Sequence, residues 1–63
     1  MIPVRSSVIR AVDYDARSMR LFILFHSGST YVYHRVPERI FTGLLRAWSK
    51  GRYFNAYIRD RYS

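Results

Sequence analysis

Lys50, Arg52, Asn55 and Arg59 are the residues of this 63-residue chain whose types and spacing suit a defined chemistry. At about 100° per residue of a helix, Arg52, Asn55 and Arg59 share one face, while Tyr53, Phe54, Tyr57 and Ile58 share the other. Guanidinium and ammonium groups flanking an amide bond phosphate or carboxylate oxygens, and Gly51 lets a ligand approach the backbone where the first amides of a helix point outward. Arg39 and Arg46 extend the basic patch along a neighbouring helix, and Tyr53 or Tyr57 could stack on an unpaired base. A purely structural account competes with this one. In it, Asn55 satisfies a buried backbone group, Arg59 pairs with Glu38 or Asp13, and the tyrosines are core.

The charge balance supports an anionic partner. Eleven Lys and Arg, all but Lys50 arginine, stand against four acids, for a formal charge of +7. Such an excess attracts nucleic acid or an acidic protein surface, and in small proteins it also serves solubility alone. Other chemistries lack their parts. The absence of cysteine removes disulfides and thiolate metal sites and fits a reducing compartment. His26 and His34 lie about four strand positions apart, roughly 13 Å, too far to share a metal. Asp13, Asp15 and Asp60 have no ligand spacing, and Asp13-x-Asp15 lacks the glycine and distal glutamate of a calcium loop. Ser27-Gly28-Ser29 joins two strands and opens no helix, so it is no phosphate cradle. The expectation is a protein with no catalytic residues, no metal and no cofactor. Arg5 and Ser6 interrupt the N-terminus before any signal-like apolar run, and no stretch reaches the ~18 apolar residues of a membrane span, so a cytoplasmic, non-membrane protein is expected.

The elements that must hold these residues follow from periodicity. Residues 1–63 make one domain, in which the lead 1–6, interrupted by Pro3, is expected to fray or to add an edge. Ser7 to Tyr14 alternates imperfectly, and a bulge near Arg10 would return Ile9 to the core side. Asp15-Ala16-Arg17-Ser18 has turn chemistry, and Met19 to Phe25 reads as a second strand. With Ser27-Gly28-Ser29 as the hairpin loop, Thr30 to Val36 pairs Phe25 with Tyr31, Ile23 with Tyr33 and Leu21 with Arg35 on one face. His26 with Thr30, Leu24 with Val32 and Phe22 with His34 then share the other. Pro37 and Glu38 open a helix whose Ile40, Phe41, Leu44, Leu45 and Trp48 form an apolar stripe opposite Arg39, Gly43, Arg46 and Lys50. Ser49 or Gly51 starts the last helix. The expected fold class is α+β, a three-stranded antiparallel meander followed by two helices packed on one face of the sheet.

The spacing Ser6-Ser7…Ile9…Val12…Tyr14-Asp15, then Leu21-x-Ile23-x-Phe25…Gly28…Tyr31-x-Tyr33-x-x-Val36-Pro37, then Ser49-x-Gly51-x-Tyr53-Phe54-Asn55-x-x-Ile58-Arg59 resembles the KTSC domain family, from Ser6 to Tyr62. The family takes its name from a tail on some lysyl-tRNA synthetases, and its members also occur as small free-standing proteins of bacteria and phages. The resemblance implies a compact α+β domain that binds nucleic acid or protein and brings no catalytic residues. Leu21, Ile23, Phe25, Tyr31, Tyr33, Val36, Phe54 and Ile58 carry over as core. In the family the positions between them are usually polar, whereas here they include Phe22, Leu24, Val32 and His34.

Two functions are therefore expected from the residues. The first is non-enzymatic binding of a nucleic-acid phosphate backbone through Arg39, Arg46, Lys50, Gly51, Arg52, Asn55 and Arg59. The second is a protein-interaction module, such as a phage-type effector, that docks through Phe22, Leu24, Val32 and His34 or through the basic face. A homodimer through the sheet would use the same apolar face. Alternatively, the N-terminal lead or Trp48 covers that face.

Overall fold

Alternation of apolar and polar residues builds a four-stranded antiparallel sheet in the order β1-β2-β3-β4. The computed structural model describes residues 1–63. Its strands are β1 (Ile2–Pro3), β2 (Ile9–Asp15), β3 (Arg20–Phe25) and β4 (Thr30–Tyr33), followed by α1 (Glu38–Arg46) and α2 (Lys50–Tyr57). The count of strands exceeds the expected three because the N-terminal lead adds an edge. Ile2 lies opposite Val12 and Pro3 opposite Ala11, and Val4 N–H donates to the Arg10 carbonyl at 3.1 Å. Proline is tolerated there because an edge strand does not need every amide donor.

The imperfect alternation of β2 is resolved by a bulge. Ile9 opposes Phe25 and Ala11 opposes Leu24, leaving Arg10 as the extra residue. Ile9 and Val12, of opposite parity, are consequently both fully buried. In the following turn the Asp15 carboxylate accepts from Ser18 Oγ at 2.9 Å and from Arg17 N–H at 3.1 Å, and it pairs with Arg20 at 3.6 Å. The Ser18 hydroxyl and the Arg17 amide hold its pKa below the usual carboxylate value.

The β3–β4 hairpin departs from the expected register. Phe25 N–H donates to the Ser29 carbonyl and Gly28 N–H to the Phe25 carbonyl, both at 2.9 Å, so the turn is His26-Ser27-Gly28, one residue earlier. Gly28, at φ 98°, supplies the left-handed residue that this three-residue loop requires. The pairs become Leu21–Tyr33, Phe22–Val32, Ile23–Tyr31 and Leu24–Thr30. Each partner moves by two positions, so every side chain keeps its expected face. His34 now falls beyond β4, its amide bonded to the Ser63 carbonyl at 3.1 Å, and Arg35 occupies a left-handed kink at φ 57°.

Both helices cover the face carrying Ile9, Val12, Leu21, Ile23 and Tyr33, and the core closes with Val36, Leu44, Phe54 and Ile58. Phe54 holds Phe25 and Tyr33 in edge-to-face contact, with ring centroids 5.3 and 5.7 Å away. Tyr31, expected in this core, is 55% exposed on the edge strand, where its ring meets Phe25 edge-on. Trp48 is a larger correction. The chain leaves α1 at Ala47 (φ −63°, ψ 137°), so the stripe stops at Leu45 and Trp48 is fully exposed at 102%.

Gly43 sits inside α1, where glycine costs roughly 1 kcal/mol relative to alanine. Tyr53 of α2 explains it, since a Cβ at position 43 would lie 2.8 Å from the tyrosine Cζ. Gly43→Ala is expected to displace that ring and to destabilise the protein by about 1 kcal/mol despite the better propensity. In a Tyr53→Ala background the same substitution becomes stabilising. Urea denaturation of the four proteins in this cycle measures the reversal of sign.

Tyr14 ties β2 to the entry of α1. Its Oη donates to the Val36 carbonyl at 2.6 Å, and its ring stacks on Phe41 with centroids 5.0 Å apart. Burial, then the nearby Glu38 and Asp15 carboxylates, raise its pKa above the model-compound value of 10.0. Burial likewise raises Tyr33 and Tyr53. The unfolded tyrosines therefore ionise first, so this stabilisation is complete below about pH 10 and is lost as pH climbs through the raised folded values. Tyr14→Phe is expected to cost about 1–2 kcal/mol at neutral pH, by leaving the Val36 carbonyl unpaired, and to flatten the alkaline loss. Urea midpoints measured from about pH 8 to pH 11.5 read both effects.

Candidate nucleic-acid interface

Helix α2 starts at a cap made by Ser49, whose Oγ accepts from Arg52 N–H at 3.3 Å. Lys50 then folds back on α1, with Nζ donating to the Leu45 carbonyl at 3.1 Å and the Ala47 carbonyl at 2.8 Å. Two of its three ammonium donors thus satisfy the last carbonyls of α1, a role the residue type suits as well as phosphate binding. Gly51 also serves packing, since a Cβ there would meet Val8 Cγ2 at 3.3 Å. The missing side chain brings the Ser6–Val8 segment against the first turn of α2.

This approach creates a groove of about 380 Å³ between the N-terminal lead and α2, lined by Arg5, Lys50, Gly51, Arg52, Asn55 and one side of Trp48. No acidic residue lines it. Arg52 and Asn55 are exposed, and neither makes a side-chain hydrogen bond or ion pair within the chain. Ser6 Oγ accepts the amides of Val8 and Ile9, both at 3.1 Å, which fixes the lead that carries Arg5. His26 Nε2 donates to the Ser6 carbonyl at 2.7 Å and holds the same segment from the hairpin side.

The structure divides the basic set proposed from sequence. Arg59 follows the end of α2 at Tyr57, where the Ile58 cap (φ −122°, ψ −51°) swings the chain away. It lines a larger open cleft of about 1030 Å³ with Phe25, Tyr31, Tyr33 and Tyr62, which adjoins the groove at Ser7 and Val8. It pairs with neither Glu38 nor Asp13, as the ion pair present is Arg20–Asp15. Arg39 and Arg46 lie exposed along α1, Arg39 near enough to Tyr53 to oppose the rise in its pKa. Tyr53 is half-buried against Gly43 and packs on Tyr57, their centroids 4.8 Å apart, while Tyr57 remains 48% exposed.

Phe22, Leu24 and Val32 share the sheet face opposite the helices. The N-terminal lead extends the sheet sideways and Trp48 is bare, so neither covers that face. Phe22 and Leu24 are half-buried by neighbouring strand residues, with the Arg20 guanidinium 5.7 Å over the Phe22 ring. His34 is exposed beyond the end of β4. No three His, Asp or Glu side chains converge as metal ligands.

Besides the serines and Val8, Arg5 and Trp48 line the groove without belonging to the set expected from sequence. The signal available for Trp48 was Ser49. A serine cap at residue 49 places Ala47 and Trp48 in the connection between helices, outside the stripe that periodicity assigned.

The KTSC sequence profile matches residues 5–62, which takes in every strand but β1, both helices and the groove. The chain belongs to the KTSC domain family. Among similar proteins, one from Tsukamurella paurometabola with no functional name is 42% identical over 62 residues, covering 98% of this chain and 92% of its own length. The crystal structure of a KTSC domain protein from Yersinia pestis superposes with a TM-score of 0.94 at 39% identity, over 97% of this chain and 86% of that one. A lysine–tRNA ligase from Nostoc punctiforme is 36% identical across 98% of this chain. This KTSC domain matches only 11% of that ligase. No helix of the domain is long and apolar enough to cross a membrane.

Proposed function

We propose that this KTSC domain is a non-catalytic module that binds the phosphate backbone of nucleic acid in the groove between the N-terminal lead and α2. The observation that carries this reading is the acid-free lining, in which Arg5, Arg52 and Asn55 present free donors on a chain of charge +7. Arg46 and Arg39 extend the positive surface along α1, and Lys50 contributes its remaining donor. Binding of this kind weakens steeply as salt rises, because each neutralised phosphate releases counterions. The test is a titration of labelled single- and double-stranded DNA and RNA at several salt concentrations. Association that is absent from all four, or that ignores salt, removes the reading.

The uncovered face of Phe22, Leu24 and Val32 favours a second reading, a protein-interaction module or a homodimer through the sheet. Leu24→Asp separates the two, because it abolishes a sheet-mediated association and leaves the groove intact. Sedimentation of both proteins at high concentration reports the outcome.

A further inference from the structure

The side chain with the most to gain from burial is the most exposed of the large apolar residues. Trp48 is 102% exposed, whereas an indole in a small protein is ordinarily packed. Its backbone is not loose. On the N-terminal side Ala47 N–H donates to the Leu44 carbonyl at 3.3 Å, and the Ala47 carbonyl accepts from Lys50 Nζ at 2.8 Å. On the C-terminal side Ser49 caps α2 through Oγ and its carbonyl accepts from Tyr53 N–H at 3.0 Å. The connection between the helices is thus pinned on both sides of a fully exposed ring.

Trp48 also stands between two grooves. One is the basic groove already described. The other, of about 330 Å³, is lined by Ala47, Arg52, Tyr53, Ala56 and Tyr57, with Trp48 and Ser49 common to both. Neither contains an acid, and Arg52 reaches both. An aromatic face beside guanidinium groups is the combination that holds single strands, because every base has a face to stack and every linkage a phosphate to neutralise.

We infer that Trp48 is a stacking platform for an unpaired nucleobase, with Arg52 and Arg5 on the adjoining phosphates, so that this domain prefers single-stranded nucleic acid to duplex. The inference rests on the phosphate-binding reading and adds to it the state of the nucleic acid. A duplex offers phosphates but keeps its base faces inside the stack, so Trp48 gains nothing from it. A membrane surface would suit a broader apolar face than one indole with Tyr53, Ala56 and Tyr57 on one side and arginine, asparagine and serine on the other.

Trp48 is the one tryptophan in the chain, so its fluorescence reports the contact directly. The experiment titrates the intact protein with oligothymidylate, with a mixed-sequence duplex of equal length and with anionic phospholipid vesicles, following both emission and anisotropy of labelled nucleic acid. The expected result is quenching by oligothymidylate, with single-strand affinity exceeding duplex affinity. Trp48→Ala is expected to lose about 5- to 150-fold in single-strand affinity, and Trp48→Phe to retain part of it. Circular dichroism of both variants should be unchanged, because the side chain makes no core contact. Equal affinity for duplex and single strand, without quenching and without an effect of Trp48→Ala, overturns the stacking role and leaves phosphate binding standing. No nucleic-acid binding at all overturns both. A blue shift on vesicles with no response to oligothymidylate assigns the ring to a lipid surface and overturns the inference.

Discussion

Ile58→Ala is expected to leave much of the protein unfolded. Ile58 is fully buried where α2 ends, and the same residue accepts the amides of Arg61 and Tyr62 that turn the tail back toward β4. Truncating a buried isoleucine costs about 2–5 kcal/mol in lost transfer energy and cavity. A chain of this length holds about 3–9 kcal/mol in all, since stability runs near 0.05–0.15 kcal/mol per residue. Without a disulfide to compensate, stability rests on the core. Thermal unfolding followed by circular dichroism should fall by about 10–30 °C. Val32→Ala, on the open face of the sheet, should change the midpoint by no more than about 2–4 °C, the share of a surface substitution. Equal effects of the two would mean that the helices do not organise the core described here.

The second large effect concerns binding. Arg5→Ala combined with Arg52→Ala removes the two free guanidinium groups of the groove, while the Ser49 cap and the Lys50 bonds persist. The double variant is expected to keep its fold and to lose about 1.4–1.8 from the slope of log affinity against log salt, at about 0.7–0.9 per phosphate contact. Arg59→Ala is expected to leave the slope unchanged, because Arg59 lines the cleft beside Tyr31 and Tyr62 and not the groove. A loss on Arg59→Ala equal to that on Arg52→Ala would move the interface to that cleft.

The contrast between Arg52 and Arg59 shows what periodicity can and cannot reach. Both lie on one face of an ideal helix, and only knowledge of where α2 stops separates them. That stop lies in the packing of Ile58 and in no nearby glycine or proline. Trp48 failed for a related reason. Apolar spacing continued through it, but Ser49 needed extended backbone to cap α2, which took the preceding residues out of α1. The β2 bulge was legible because broken alternation is itself a signal, and face assignments survived a wrong hairpin register because a shift of two preserves parity. The turn was misplaced because Ser27-Gly28-Ser29 and His26-Ser27-Gly28 have equally good loop chemistry. The groove was half legible. Lys50, Gly51, Arg52 and Asn55 lie within six residues of one another, but Arg5 joins them only through tertiary contact of Val8 with Gly51.

The central claim is that the acid-free groove neutralises nucleic-acid phosphates. Its most direct test is the affinity of the unmodified protein for a labelled single-stranded oligonucleotide, measured by anisotropy at salt concentrations from low to physiological. The account predicts a straight line of log affinity against log salt, falling with a slope of about −2 to −3 as three or four phosphates are engaged. A flat line, or no association at the lowest salt, would contradict it.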